Sequence, residues 1–261
     1  MILYSRHQVG RDSIVGISFH YQTIDMNSDK KVAVFVITLV LATLWIIVNS
    51  FIHAAHADQT VITNFNTTKT KYFWPILYKD GGETLYCNQT FNNKRMLHVE
   101  HVYPASWIAT QMRCKSRSQC RTNEETKIRF NHAEADMHNL WPAMAGANQA
   151  RSNYNFGIIE GETPLMNFCD LEIDAINKIA EPARSARGKI ARSILYMTAE
   201  YDLLISKNGR QLMVKWDNKH PPTESEYIRH ETISRIQNTR NAFIDAHSQS
   251  AVNFKPGVLY K

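Results

Sequence analysis

The longest apolar run of the chain, residues 32–48 (VAVFVITLVLATLWIIV), restricts what the rest can fold into more than any other feature. It follows Lys30-Lys31 and leads into Ala55-His56-Ala57. That is the order of a secretory signal: a charged start, an apolar middle, then small residues at −3 and −1. At 17 residues the run exceeds a typical signal core and is just long enough for a single anchoring helix, which is the competing reading. A complete signal can begin at Met26, whereas the polar stretch 1–25, with Arg6, Arg11 and Asp12, fits neither reading. The expected organisation is therefore a non-structural extension 1–25, a signal or anchor 26–57, and one folded domain 58–261.

Export gives the cysteines a meaning. Cys87, Cys114, Cys120 and Cys169 all follow the signal, an even number in a compartment where disulfides persist, and three pairings are possible. No Cys-x2-Cys pair supports a zinc site. The six-residue step from Cys114 to Cys120 favours a local clip, leaving Cys87 with Cys169 as a long-range staple. The clipped segment QMRCKSRSQCR carries Arg113, Lys115, Arg117 and Arg121, and pre-positioned cations are what a phosphate site needs.

A chain of 261 residues, 44% hydrophobic and 21% charged, is neither wholly disordered nor a polytopic membrane protein. The 30 Lys plus Arg exceed the 24 Asp plus Glu, and only four of the former and three of the latter precede residue 58. The basic excess thus belongs mostly to the exported part and suits a polyanion partner. Residues 83–89 and 95–103 alternate enough for two short strands around Asn92-Asn93. A helix is expected over 124–140, ended by Pro142, then a loop over 146–157, a helix over 175–204 broken near Pro182, and another over 224–246. The fold class is α+β: one mostly helical domain with a small β element.

The densest cluster of reactive residue types is Leu97-His98-Val99-Glu100-His101-Val102-Tyr103-Pro104, followed by Glu134-Ala135-Asp136-Met137-His138-Asn139. No His-Glu-x-x-His occurs. A hard cation such as Mg2+ needs only one or two protein oxygens beside substrate phosphates, and Glu100 and Asn139 could supply them. His101 could take the proton of an attacking water. Adjacent Glu100 and His101 on a regular strand face opposite ways, so joint action requires a bend, for which Pro104 is suited. The residues alone equally allow a packed strand histidine and a helix-capping Asn139.

Three strings, Glu100-His101-Val102-Tyr103-Pro104-Ala105-Ser106, Glu134-Ala135-Asp136-Met137-His138-Asn139-Leu140-Trp141-Pro142-Ala143 and Arg151-Ser152-Asn153-Tyr154-Asn155-Phe156-Gly157, resemble the endonuclease I family of periplasmic and secreted bacterial nucleases. Arg187-Gly188-Lys189-Ile190-Ala191-Arg192 and Asn238-Thr239-Arg240-Asn241-Ala242-Phe243-Ile244-Asp245 resemble its C-terminal helices, in the expected order. The resemblance implies a ββα-metal nuclease that cuts DNA, and often RNA, with little sequence preference and leaves a 5′-phosphate. It implies that His101 is the general base, that Glu100 and Asn139 hold one Mg2+ (Mn2+ or Ca2+ share the oxygen preference), and that Arg117 steadies the scissile phosphate. Arg151 and Arg113 are weaker candidates for substrate contact, Arg151 being equally suited to tying its loop to Glu134 or Asp136. His138 reads as a packing residue, and Trp107, Trp141, Tyr154 and Phe156 read as core. A monomer without a stable protein partner, periplasmic or secreted, is expected. The competing functions are an exported nucleic-acid binder without catalysis and a membrane-anchored envelope protein.

Overall fold

Asn64 opens the first helix by accepting the Thr67 amide hydrogen on its side chain, and α1 (Phe65–Thr67) runs on in wider π-helical turns, Thr68–Leu77. The computed structural model describes residues 36–37, 59–161, 164 and 168–253, with side chains to 248. The expected extension and signal lie outside these residues, apart from 36–37. The chain divides into residues 1–53 and 54–261, and the second unit is the one described below. Among the described residues, no helix is long and apolar enough to cross a membrane.

Two-residue strands β1 (Gly82–Glu83) and β2 (Thr90–Phe91) pair antiparallel, so the first expected strand contracts to its start. Residues 84–89 instead form a turn closed by Asn88 N–H to Thr84 O and Thr84 N–H to Gln89 O, which buries Leu85, Tyr86 and Cys87. Strand β3 (Leu97–His101) falls within the second expected strand. The chain then forms α2 (Ala105–Gln111), α3 (Arg117–Thr122), α4 (Lys127–Ala135) and a 3-10 turn, Met137–Asn139, before β4 (Leu140–Met144). Strand β4 pairs antiparallel with β3, setting Glu100 opposite Trp141 and His101 opposite Leu140, and passes directly into α5 (Ala145–Arg151). This is a ββα unit.

The helix expected over 124–140 ends early because Asp136 is extended and its carboxylate accepts the His138 amide hydrogen, starting a new turn. Residues 140–144 are then free to pair with β3. Pro142 is tolerated in a two-stranded pair, where one side of each strand needs no ladder bond.

Beyond α5, β5 (Asn155–Phe156), β6 (Leu171–Asp174) and β7 (Ile179–Pro182) form a sheet of order β5-β7-β6. The helix expected from 175 therefore begins later, as α6 (Arg184–Glu200), after a hairpin turn held by the Asp174 carboxylate on the Ile176 and Asn177 amides. Helix α6 puts Ile190, Ile194, Leu195 and Met197 into the main core. Then come α7 (Lys207–Lys219), α8 (Glu224–Gln237) and α9 (Ala242–Asn253). Asn238, left-handed at φ 57°, separates α8 from α9, so the single helix expected over 224–246 is two. The α+β class, mostly helical with small sheets, is as the sequence indicated.

Both disulfides form as spacing favoured: Cys114 with Cys120, and Cys87 with Cys169 across 82 residues. The first spans the loop into α3; the second ties the turn after β1 to the start of the β6 region.

Candidate active site

Strand β3 ends at His101, and Val102 and Tyr103 bend the chain away before Pro104 opens α2. The bend is fixed from outside. Asn139 accepts the Tyr103 amide hydrogen on Oδ1 at 2.7 Å and donates Nδ2 to the Tyr103 carbonyl at 3.0 Å. With both polar atoms committed and no exposed surface, Asn139 is a clamp on the bend rather than a residue of the cleft. The bend lets the neighbours Glu100 and His101 line one cleft of about 200 Å³, together with Arg117, Asn148 and Arg151. The expected role of Asn139 as metal ligand thus meets a side chain turned to the backbone, while Asn148, on α5, supplies an amide at the cleft. Asn148 lies in the stretch expected to be loop, and the sign that could have revealed it is that an Asn one turn into the helix of a ββα unit faces back on the strand.

His101 Nε2 lies 2.9 Å from the Glu134 carbonyl oxygen. A carbonyl only accepts, so Nε2 carries the hydrogen and Nδ1 keeps its lone pair in the neutral ring. Burial, and next the charge of Arg117, lower the His101 pKa to about 4, so the imidazole is neutral at ordinary pH. Phe65 packs on the ring with centroids 4.6 Å apart.

The Glu134 carboxylate, 1% exposed, grips two guanidiniums: Arg117 Nε at 2.8 Å and Arg121 Nε at 2.7 Å. Burial pushes Glu134 up, but the two arginines prevail and hold it below the usual carboxylate value. Arg117 and Arg121 remain about two-fifths exposed, so their shared anchor fixes them without hiding them. Arg113, at φ 60°, is exposed and does not line the cleft.

Arg151 is 1% exposed and reaches Glu100 Oε1 at 2.9 Å and the His101 and Val102 carbonyls, with Phe156 under its guanidinium. Its partner is therefore Glu100, neither of the two acids first considered, and it holds the end of β3 instead of reaching out to substrate. Tyr86 donates to the same Oε1 at 2.6 Å. Burial raises the Glu100 pKa, with Arg151 opposing. His138 is a packing residue, 4.7 Å from the Tyr196 ring and 5.3 Å from His230. Trp141 and Phe156 are buried, and Trp107 and Tyr154 pack on the core.

Outside the cleft, His230, Glu231 and Asp245 lie close enough to share a cation, but Arg240 already bridges the two carboxylates.

An antiparallel strand pair delivering into a helix, with a free imidazole nitrogen, a carboxylate, an amide and an anchored arginine at one cleft, defines the class of ββα nucleases. The chain belongs to the Endonuclease I family, whose sequence model matches residues 50–248. It is 30% identical to an extracellular deoxyribonuclease of Aeromonas hydrophila over 75% of this chain and 93% of that protein. A periplasmic deoxyribonuclease of the same species is 31% identical over 66% and 82%. An endonuclease-1 of Buchnera aphidicola is 33% identical over 69% and 70%.

Proposed function

We propose that this protein is an exported, metal-dependent endonuclease that hydrolyses phosphodiester bonds of DNA, and of RNA, with little sequence preference. The observation that carries the reading is His101, its Nε2 engaged by the Glu134 carbonyl and its Nδ1 lone pair left over, in one cleft with Glu100, Asn148 and the anchored Arg117. His101 takes a proton from the attacking water at Nδ1, and the Glu134 carbonyl stabilises the imidazolium that forms. Arg117, held on Glu134, meets negative charge that grows on the phosphate without having to reorganise. Phosphate contacts carry no base information, which accounts for the weak sequence preference. Attack by water opposite the 3′-oxygen leaves a 5′-phosphate.

The cleft suits a hard cation. Both side-chain donors to Glu100 fall on Oε1, and Asn148 makes no side-chain hydrogen bond among the described residues. Glu100 and Asn148 would hold Mg2+, or Mn2+ or Ca2+, through oxygen. The ion, when bound, would stabilise charge on the leaving oxygen. The extracellular and periplasmic relatives and the two disulfides support export.

The test is plasmid and RNA cleavage by residues 58–261, oxidised, with Mg2+ and with EDTA, beside His101→Ala and Asn148→Ala. Metal-dependent degradation is expected, falling by orders of magnitude in His101→Ala and needing a higher Mg2+ concentration in Asn148→Ala. Salt-sensitive DNA binding without any cleavage, in Mg2+ or Mn2+, would instead make the protein a non-catalytic binder.

A further inference from the structure

A second groove lies on the outer side of α6, and it shares no lining residue with the cleft. Gly188 creates it. A Cβ there would meet the His220 carbonyl oxygen at 2.2 Å, so only glycine lets α6 come this close to the end of α7. The approach brings Arg184 and Lys189 on α6 together with Lys219 on α7. Two cavities, of about 560 and 340 Å³, adjoin there, and Lys189 lines both.

The groove is cationic. Arg184, Lys189 and Lys219 make no ion pair among the described residues, whereas Glu226 on the same wall is neutralised by a two-point contact from Arg192, Nε at 2.8 Å and Nη2 at 2.7 Å. Asp80 is paired with Lys79, which leaves Glu83 as the one unpaired acid among the lining residues. His220 reports the local potential: burial and then the charges of Arg187, Lys219, Arg184 and Arg192 hold its pKa below the ordinary value. At its inner end the groove reaches Trp141, with Lys189 5.7 Å from the ring, and Trp141 is the cross-strand partner of Glu100. Cross-strand partners have Cα atoms about 5 Å apart, so the groove ends one strand away from the cleft.

We infer that this groove is an exosite for the sugar-phosphate backbone of a nucleic-acid strand, holding long substrate at Arg184, Lys189 and Lys219 while a different phosphate sits in the cleft. The inference rests on the nuclease reading and adds a length dependence to it. A long duplex gains contacts that a short diester cannot make. The groove contributes to affinity and processing of polymers, and chemistry stays with His101.

The test compares the wild type with the triple variant Arg184→Gln, Lys189→Gln, Lys219→Gln. Binding of a long DNA duplex is measured in EDTA across a salt series, and hydrolysis of a p-nitrophenyl nucleotide diester is measured with Mg2+. Loss of three phosphate contacts makes the slope of log K against log salt shallower by about 3 and weakens low-salt binding by about tenfold or more. Turnover of the short diester is expected to stay the same. An unchanged slope and affinity, or an equal loss on the short diester, overturns the exosite. Displacement of the duplex by inorganic phosphate far beyond the effect of chloride at equal ionic strength also overturns it, in favour of a lone-anion pocket. A wild type that hydrolyses neither substrate removes the nuclease reading, while a shallower slope in the variant still upholds the groove as a nucleic-acid contact.

Discussion

His101 and Asn148 are separated by 47 positions, yet both reach the cleft because a strand ends at one and a helix carries the other. Replacing the base, His101→Ala, is expected to lower kcat by about 10²–10⁴ with little change in KM, the usual contribution of general-base catalysis. The free enzyme's acid limb in kcat/KM is expected near pH 4, since the base works unprotonated and activity disappears as pH falls through its pKa of about 4. A limb near 6.5, measured without burial-relieving mutations, would contradict the environment described. The two asparagines separate by readout. Asn148→Ala should raise the metal concentration needed for activity at unchanged stability, whereas Asn139→Ala should lower the melting temperature by releasing the Tyr103 bend. Arg151→Met leaves the Glu100 carboxylate buried and without its cation, which costs about 3–5 kcal/mol in urea unfolding. Of these residues, Glu100, His101 and Arg117 were legible through the resemblance to the family, since adjacency on a regular strand by itself argues against joint action of Glu100 and His101. Asn148 was not, because a short polar helix rich in Ala, Asn and Gly reads locally as loop.

At the scale of elements, the clip, the bend and the α4 helix act on one another through Glu134. Its carboxylate anchors Arg117 and Arg121 on α3, and its carbonyl orients His101 at the end of β3. The Cys114–Cys120 disulfide closes the loop that leads into α3. The double variant Cys114→Ser, Cys120→Ser is expected to lose about 2–3 kcal/mol of stability and to lower kcat more than KM, because Arg117 loses its fixed approach while the groove for polymer remains. Equal kcat in oxidised protein and variant, assayed side by side, would show that α3 positions Arg117 unaided. Strand β3 and the bodies of α6 and α8 were readable in advance from their hydropathy pattern. The strand β4 was hidden because Asp136 ends α4 by a side-chain hydrogen bond that hydropathy cannot register. Helix α7 was hidden because it buries only Met213 and Trp216, three residues apart, on an otherwise polar surface. Strand β7 fell inside the helix expected from 175 because four residues, Ile179–Pro182, are too few to show a period of their own, and its hairpin partner β6 carries no stronger signal.

At the scale of the molecule, three buried imidazoles among the described residues have their pKa lowered by the fold. Burial holds His138 well below its ordinary pKa and lowers His230, beside Asp245, while His101 falls to about 4. Each is protonated more readily in the unfolded chain, where the ordinary value is near 6.5. Their stabilisation is complete above that value and is lost as pH falls toward the folded-state pKa values. The melting temperature is therefore expected to drop steadily from neutral pH downward, and His138→Phe, which keeps the contact with Tyr196 without a proton site, should flatten that drop. A flat profile in the wild type would mean that the carboxylates near these rings compensate. The longer disulfide has a different consequence. Cys87 and Cys169 close a covalent ring, and His101, Arg117 and Asn148 all lie on its circumference. A protease that cuts one exposed loop inside that ring opens the circle without releasing a fragment. The severed protein would migrate as one species until a thiol is added and as two afterwards, and each end of the cut would remain tethered to the half that carries its chemistry.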